Sequence, residues 1–141
     1  MKLPNNWQQK TLEKLENNSW GNVTEASTNL IKRCIELTKI PLDRFTAGDL
    51  RIMKGQGFGL TYLIPLAIEM LKENIFIYAD FYEGDLLNNV LAIETNFWNE
   101  NEKYWLAMNA LINTRRQEFS KYKIVTINFD KANFHNKKTN S

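Results

Sequence analysis

The chain has 141 residues, a formal net charge of +2 and a single cysteine. A chain of this length buries about two thirds of the surface that its unfolded state exposes, enough for a core that needs no metal or disulfide. The lone Cys34 rules out an intrachain disulfide, and no stretch of about eighteen consecutive apolar residues is present. We therefore expect a cytoplasmic protein without a signal peptide or a membrane span.

The first two predicted helices lie before Pro41. Asn5 or Asn6 can cap the first and Asn22 or Thr24 the second, because short polar side chains satisfy the free N–H groups of a helix start. Inward side chains recur at helical spacing: Trp7, Thr11, Leu12 and Leu15 in the first helix, and Leu30, Ile31, Cys34, Ile35 and Thr38 in the second. Cys34 is therefore interpreted as part of the core and not as a reactive thiol.

A third helix is expected to begin near Ala47. Thr46 and Asp49 have the spacing of a capping box, in which each side chain accepts a hydrogen bond from the other residue's backbone N–H. Glycines follow that helix at Gly55, Gly57 and Gly59, and they predict a sharp reversal of the chain. The glycines do not indicate a nucleotide site, because the Lys-Ser/Thr pair of a phosphate loop is missing and a helix precedes them.

The fourth predicted helix, from residue 59 to residue 74, is apolar on most of its surface and is expected to be the buried centre of the fold. Pro65 fits if the regular helix begins near Tyr62, because the first turn of a helix has no internal acceptor for its N–H groups. Glu69 is the charge on the central turns, and we interpret it as a helix-edge carboxylate paired with a neighbouring arginine.

Further helices are predicted in the second half. Asp85 can cap a short helix after the turn at Glu83 and Gly84. One long helix, broken around residues 99–103, accounts for a later seam of large side chains at a spacing of seven. That seam consists of Trp98, Trp105, Ile112 and Phe119.

Two stretches favour extended structure. Residues 75–78 and 124–129 are rich in β-branched and aromatic side chains, and they could pair as a small ribbon. A lone pair of short strands is marginal without support. The predicted fold is therefore mostly α, a single compact multi-helix domain over residues 1–130 with at most one minor two-stranded ribbon, followed by a polar tail over residues 131–141.

Short motifs between residues 28 and 98 resemble the immunity proteins of bacterial contact-dependent growth inhibition (CDI) systems. They are Asp49-Leu50-Arg51, Gly55-Gln56, Gly59-Leu60, Leu63-Ile64-Pro65-Leu66-Ala67 and Gly84-Asp85-Leu86-Leu87. Proteins of that family bind and block a toxin. The resemblance implies that this chain forms a one-to-one complex with the C-terminal toxin domain of a large secreted protein, and toxins of such systems are frequently nucleases. The motif residues themselves read as determinants of the fold.

The acidic side chains are concentrated in the middle of the chain. Residues 66–102 carry eight Asp or Glu residues against Lys72 alone, with aromatic residues between them. This composition is typical of a surface that docks a basic partner, although solvated helix ends and caps would also produce it. The candidate toxin contacts are Glu73, Tyr78, Asp80, Tyr82, Glu83, Glu94, Trp98 and Glu100.

The basic C-terminal third suggests a different class of function, in which cationic side chains hold a nucleic-acid backbone and aromatic rings stack on bases. The candidates are Arg115, Arg116, Lys121, Tyr122, Lys123, Phe129, Lys131, Phe134, Lys137 and Lys138. No known nucleic-acid-binding motif is recognisable, and the acidic middle would repel phosphates. Nucleic-acid binding is therefore the alternative to toxin binding and not the preferred interpretation.

Catalysis is not expected. His135 is the one histidine and lies in the predicted polar tail, so we expect neither a Ser-His-acid triad nor a histidine-based metal cluster. Asp80, Glu83 and Asp85 lack the spacing of a calcium loop, and their interpretation as caps of turns is simpler. We predict no catalytic residue, cofactor or metal, and a toxin partner bound stoichiometrically.

Overall fold

The computed structural model describes residues 3–25, 27–54 and 59–132, and the chain is mostly helical there, as predicted. The helices are α1 (Leu12–Leu15), α2 (Asn29–Thr38), α3 (Ala47–Lys54), α4 (Leu60–Glu73), α5 (Asp85–Leu91), α6 (Thr95–Glu100), α7 (Glu102–Asn113), α8 (Phe119–Tyr122) and α9 (Ile127–Asp130). Short 3-10 turns span Trp7–Gln9, Leu42–Arg44 and Arg116–Glu118. The predicted reversal at Gly55 and Gly57, and nearly all of the predicted polar tail, lie outside the described residues.

Asn6 holds the N-cap position of the 3-10 turn Trp7–Gln9 without a side-chain hydrogen bond, and the predicted starts of the first two α-helices are wrong. Thr11 caps α1, where its Oγ1 accepts from Lys14 N–H at 3.1 Å, and Thr28 caps α2. The first helix starts late because Lys10 C=O accepts from Leu42 N–H at 3.0 Å, which holds the chain extended beside Pro41. A contact distant in sequence therefore overrides the local signal.

The predicted inward face of α2 is only partly buried. Cys34 is 1% exposed and lies in the core, as predicted. Leu30 and Ile31 in the first turn remain 49% and 43% exposed. The apolar stripe therefore meets the rest of the protein only in the second half of the helix.

The predicted capping box opens α3. Asp49 N–H donates to Thr46 Oγ1 at 3.1 Å, and Thr46 N–H donates to Asp49 Oδ2 at 3.0 Å. Arg33 of α2 completes the arrangement by donating from Nη2 to Asp49 Oδ1 at 2.8 Å. The buried carboxylate thus caps α3 and ties it to α2.

Helix α4 is the centre of the fold and packs against α3, α5 and α7. It begins at Leu60, two residues before the predicted start, so Pro65 lies inside the regular helix. A proline at this position leaves Thr61 C=O without its helical donor. The Tyr104 hydroxyl of α7 donates to that oxygen at 2.8 Å, which compensates for the missing bond. Glu69 is exposed and pairs with Lys72 at 3.3 Å, so the predicted arginine partner is wrong.

The predicted break in the long C-terminal helix falls at Asn101, between α6 and α7. The seam is confirmed: Trp98, Trp105 and Ile112 are fully buried and Phe119 is 7% exposed. The helix ends at Asn113, however, and Phe119 reaches the core from a separate short helix. The continuation of one helix to Phe119 is therefore wrong.

The predicted ribbon between residues 75–78 and 124–129 is also wrong. Within the described residues, no strand pairing joins these two segments, and residues 127–130 form α9. Phe76 and Phe129 of these segments instead enter the core, whereas Tyr78 remains exposed. Phe76 stacks on Tyr122 with ring centroids 3.9 Å apart, and Phe129 stacks on Trp105 at 5.1 Å. Large apolar side chains occur in buried helix ends as well as in strands, so the composition of these two segments did not distinguish the two structures.

Leu63→Ala in α4 is expected to lower the free energy of unfolding by about 2 to 5 kcal/mol, because it removes a side chain that is 1% exposed from the packed centre. Urea denaturation followed by circular dichroism measures the loss. Leu106→Ala, at a position 41% exposed, is the control and should cost less than about 0.5 kcal/mol. Equal effects at the two positions would show that α4 is not the core helix.

Candidate functional site

The loop between α4 and α5 is organised by one buried carboxylate. Asp85, which is 3% exposed, accepts from the backbone N–H of Ala79 at 2.7 Å, of Asp80 at 2.9 Å and of Phe81 at 2.9 Å. The chain then enters α5 through Gly84, whose φ of +91° favours glycine. Sequence reasoning chose Asp85 as the cap of α5, whereas Gly84 holds the N-cap position and the Asp85 side chain turns back to the loop.

The environment of Asp85 keeps its carboxyl ionised. Burial by itself raises the pKa of this group, but backbone N–H donors at Asp80, Phe81, Ala79 and Tyr82 outweigh burial and lower the pKa below its usual 3.8. The ionised carboxylate therefore accepts hydrogen bonds from three consecutive amides of the loop, Ala79, Asp80 and Phe81, at neutral pH.

The outer side of this loop displays aromatic rings. Tyr78 is 57% exposed, Phe81 66% and Tyr82 44%. Tyr78 Oη donates back to Asp80 C=O at 2.9 Å, and the guanidinium of Arg51 lies 4.4 Å from the centre of the Phe81 ring. The rings are thus exposed to solvent, whereas the backbone that carries them is held rigidly by its hydrogen bonds to Asp85.

Helix α3 anchors the loop from one side. Arg51 Nε donates to Asp80 Oδ2 at 2.9 Å. The Asp80 carboxylate can approach the helix because position 48 is glycine, where a Cβ atom would lie 2.5 Å from Asp80 Oδ1. Asp80 therefore contributes to the position of the loop, and its charge is already matched by Arg51.

Asn88 of α5 connects the loop to the segment that follows α8. Its Nδ2 donates to Tyr82 Oη at 3.0 Å and to Lys123 C=O at 3.1 Å, and its Oδ1 accepts from Val125 N–H at 2.8 Å. Beside this contact lies an open groove lined by Arg51, Phe81, Tyr82, Asn88, Ala92 and Val125 among others. Sequence reasoning missed Asn88 and Val125 as site residues, because their proximity depends on the packing of α5 against the C-terminal segment, and it left Phe81 out of the candidate contacts although Phe81 adjoins Tyr82.

The structure divides the predicted toxin contacts into groups. Tyr78, Asp80, Tyr82 and Glu83 lie together in the loop. Glu94, at the N-cap of α6, is exposed two residues after Ala92 of the groove. The four loop residues form the candidate surface, and Glu94 follows the groove along the chain.

The other predicted contacts are less well placed. Glu73 is exposed at the last turn of α4, whereas Glu100 lies beside Thr61 in the first turn. At a helical rise of about 1.5 Å per residue, these two ends of α4 are about 18 Å apart. Trp98 is fully buried against Phe129, with ring centroids 5.0 Å apart, and its ring is not at the surface.

Of the basic candidates in the C-terminal third, the two arginines are engaged in ion pairs within the protein, whereas the described lysines are not. Arg115 pairs with Glu118, and Arg116 Nη2 lies 2.8 Å from Asp130 Oδ1. Phe129 is fully buried. Lys121, Lys123 and Lys131 are exposed, whereas Phe134, Lys137 and Lys138 lie outside the described residues. The arrangement gives little support to a nucleic-acid clamp.

Two further properties of the described residues bear on function. No helix there is both long enough and apolar enough to cross a membrane. No three His, Cys, Asp or Glu side chains in that part of the chain converge on a point that could hold a metal ion.

A model of the protein family described as CDI immunity proteins matches residues 14–108, which is more than half of the chain. The chain belongs to the CDI immunity proteins. The membership suggests toxin neutralisation through binding of a cognate toxin. Searches of curated proteins and of solved structures gave no match. The family match includes the loop and α5 but ends inside α7, so α8, α9 and the segment at Val125 lie beyond it.

Proposed function

We propose that this immunity protein binds the C-terminal domain of its cognate toxin in the cytoplasm, one to one, and neutralises it by covering a functional surface without any catalytic step. The exposed aromatic loop of residues 78–83, held by the buried Asp85, is the observation that carries the proposal. Aromatic side chains supply much of the energy of protein interfaces, and a preorganised loop loses little entropy on binding.

The charges around the loop support a basic partner. Glu83 is exposed in the aromatic loop itself, Glu94 is exposed at the N-cap of α6, and Glu73 is exposed in the last turn of α4. A nuclease toxin must present positive charge to the phosphates of its substrate. Acidic side chains around the aromatic loop would accelerate its encounter with such a toxin and help to cover the substrate-binding surface.

The test uses Glu83→Lys/Glu94→Lys, because both side chains are exposed whereas Asp80 pairs with Arg51. The association rate with the purified cognate toxin domain should fall by about tenfold or more at low salt, and the difference should shrink as salt screens the charges. Surface plasmon resonance at two salt concentrations measures both effects.

The control variant is Glu25→Lys/Glu102→Lys, which makes the same change of net charge at exposed positions away from the loop. It should bind nearly as fast as the unmodified protein. Equal slowing in both variants would show that overall charge, and not this surface, guides the toxin. A one-to-one mass from light scattering tests the stoichiometry.

A further inference from the structure

The aromatic loop is packed against a second segment, residues 119–127, that follows α7. Phe76, just before the loop, stacks on Tyr122 at 3.9 Å and meets Phe119 edge to face at 6.2 Å. Gly84 lies so close to Ile124 that a Cβ atom would come within 3.0 Å of its Cδ1. Together with the Asn88 hydrogen bonds, these contacts fix the two segments relative to each other.

The two segments form one continuous surface. Tyr82 lines the groove beside Phe81 and Val125, and it also lines a neighbouring cavity formed with Glu83, Lys121, Tyr122 and Lys123. Val125 and the nearby Ile127 are each 59% exposed. The groove thus presents the apolar and aromatic side chains of Phe81 and Val125, and the cavity is bordered by Lys121 and Lys123.

The lysines of this surface are available to a partner. Lys121 and Lys123 are exposed, and no ion pair within the described residues includes either of them. The ammonium group of Lys121 lies 5.4 Å from the centre of the Tyr122 ring, and both residues line the cavity. With Glu83 as the acidic residue among the lining side chains, the charge of the cavity is net positive.

We infer that this composite surface receives a protruding segment of the toxin in which a carboxylate lies next to a large apolar side chain. The apolar side chain packs between Phe81 and Val125, and the carboxylate meets Lys121 and Lys123. The inference rests on the proposed function and adds the chemistry of the toxin segment that is recognised. Aromatic anchors beside two exposed lysines match such a segment in both properties.

The two segments that form the surface differ in whether the family model matches them. Phe81 and Tyr82 lie inside the region matched by the family model, whereas Lys121, Lys123 and Val125 lie beyond its last residue at 108. The proposed aromatic anchor therefore lies within the matched region, and the proposed lysine contacts lie outside it.

Two double variants test the inference against the purified cognate toxin domain by isothermal titration calorimetry. Lys121→Glu/Lys123→Glu should weaken binding by about tenfold or more, and Phe81→Ser/Val125→Ser by a similar factor. The matched controls are Lys103→Glu/Lys131→Glu and Leu30→Ser/Leu106→Ser, which alter exposed residues of the same types elsewhere. Both controls should keep nearly unchanged affinity and unfolding temperature.

The outcomes separate this inference from the proposed function. Absence of any complex with the unmodified protein overturns both. A complex whose affinity is unchanged in both test variants overturns the composite surface alone. The composite surface is also overturned if sedimentation shows that Phe81→Ser/Val125→Ser dissociates a homodimer while toxin affinity stays constant, because the surface then belongs to a second copy of this chain. If one test variant fails to fold, the other decides.

Discussion

Replacing Asp85 with alanine is expected to lower the free energy of unfolding by about 3 to 5 kcal/mol, one of the two largest effects that the structure predicts. The buried carboxylate accepts from Ala79, Asp80 and Phe81 at 2.7 to 2.9 Å. Alanine would leave these three N–H groups without their acceptor, and backbone donors without a partner are costly. Urea denaturation at pH 7 measures the loss.

Asp85→Asn separates charge from shape. The amide keeps one acceptor oxygen, but its NH2 group would face a backbone donor, so we expect a smaller cost of about 1.5 to 3 kcal/mol. This variant also removes the titrating group. Comparison of the two proteins across pH therefore isolates the contribution of the ionised carboxylate.

The direction of the pH dependence follows from the lowered pKa of Asp85. The carboxylate's stabilisation is fully present above the unfolded-state pKa, which is about 3.9, and is lost as pH falls through the lower folded-state pKa. Below about pH 4, the unmodified protein should lose stability more steeply than Asp85→Asn. Parallel stability profiles of the two proteins between pH 3 and pH 7 would mean that Asp85 does not act through its charge.

Local signals predicted the centre of the fold well. The capping box at Thr46 and Asp49, the apolar helix α4 and the seam at Trp98 and Trp105 depend on residues within a few turns of each other. Long-range contacts decided the rest. The bond from Leu42 to Lys10 delays the first helix, and the burial of Phe129 turns a predicted strand into a core helix.

The candidate site was predictable only in part, because composition gives the charge of each residue but not the ion pairs that the folded chain forms. Asp80 and Glu83 carry the same formal charge, yet Asp80 is paired with Arg51 and anchors the loop. Trp98 stood among exposed acids in the sequence and is fully buried. Val125 gave no signal at all, since its role depends on the hydrogen bond to Asn88.

Phe129→Ala is expected to cost about 3 to 5 kcal/mol, although this residue lies beyond the region matched by the family model. The ring is fully buried, stacks on Trp105 at 5.1 Å and meets Trp98 edge to face at 5.0 Å. The backbone carbonyl of Phe129 also accepts from Trp105 Nε1 at 3.0 Å. Loss of the ring would open a cavity beside both indoles, so tryptophan fluorescence during urea denaturation reports the effect.

Ile127→Ala is the control for this prediction. It changes a residue of the same short helix whose side chain is 59% exposed, and it should shift the free energy of unfolding by less than about 0.5 kcal/mol. A large difference between the two variants would establish that the segment after α7 completes the core, and hence that Lys121, Lys123 and Val125 are held at fixed positions next to the aromatic loop. A cost below about 1 kcal/mol for Phe129→Ala would instead show that this segment does not pack firmly against the core. Lys121, Lys123 and Val125 would then not form a rigid part of the proposed toxin-binding surface.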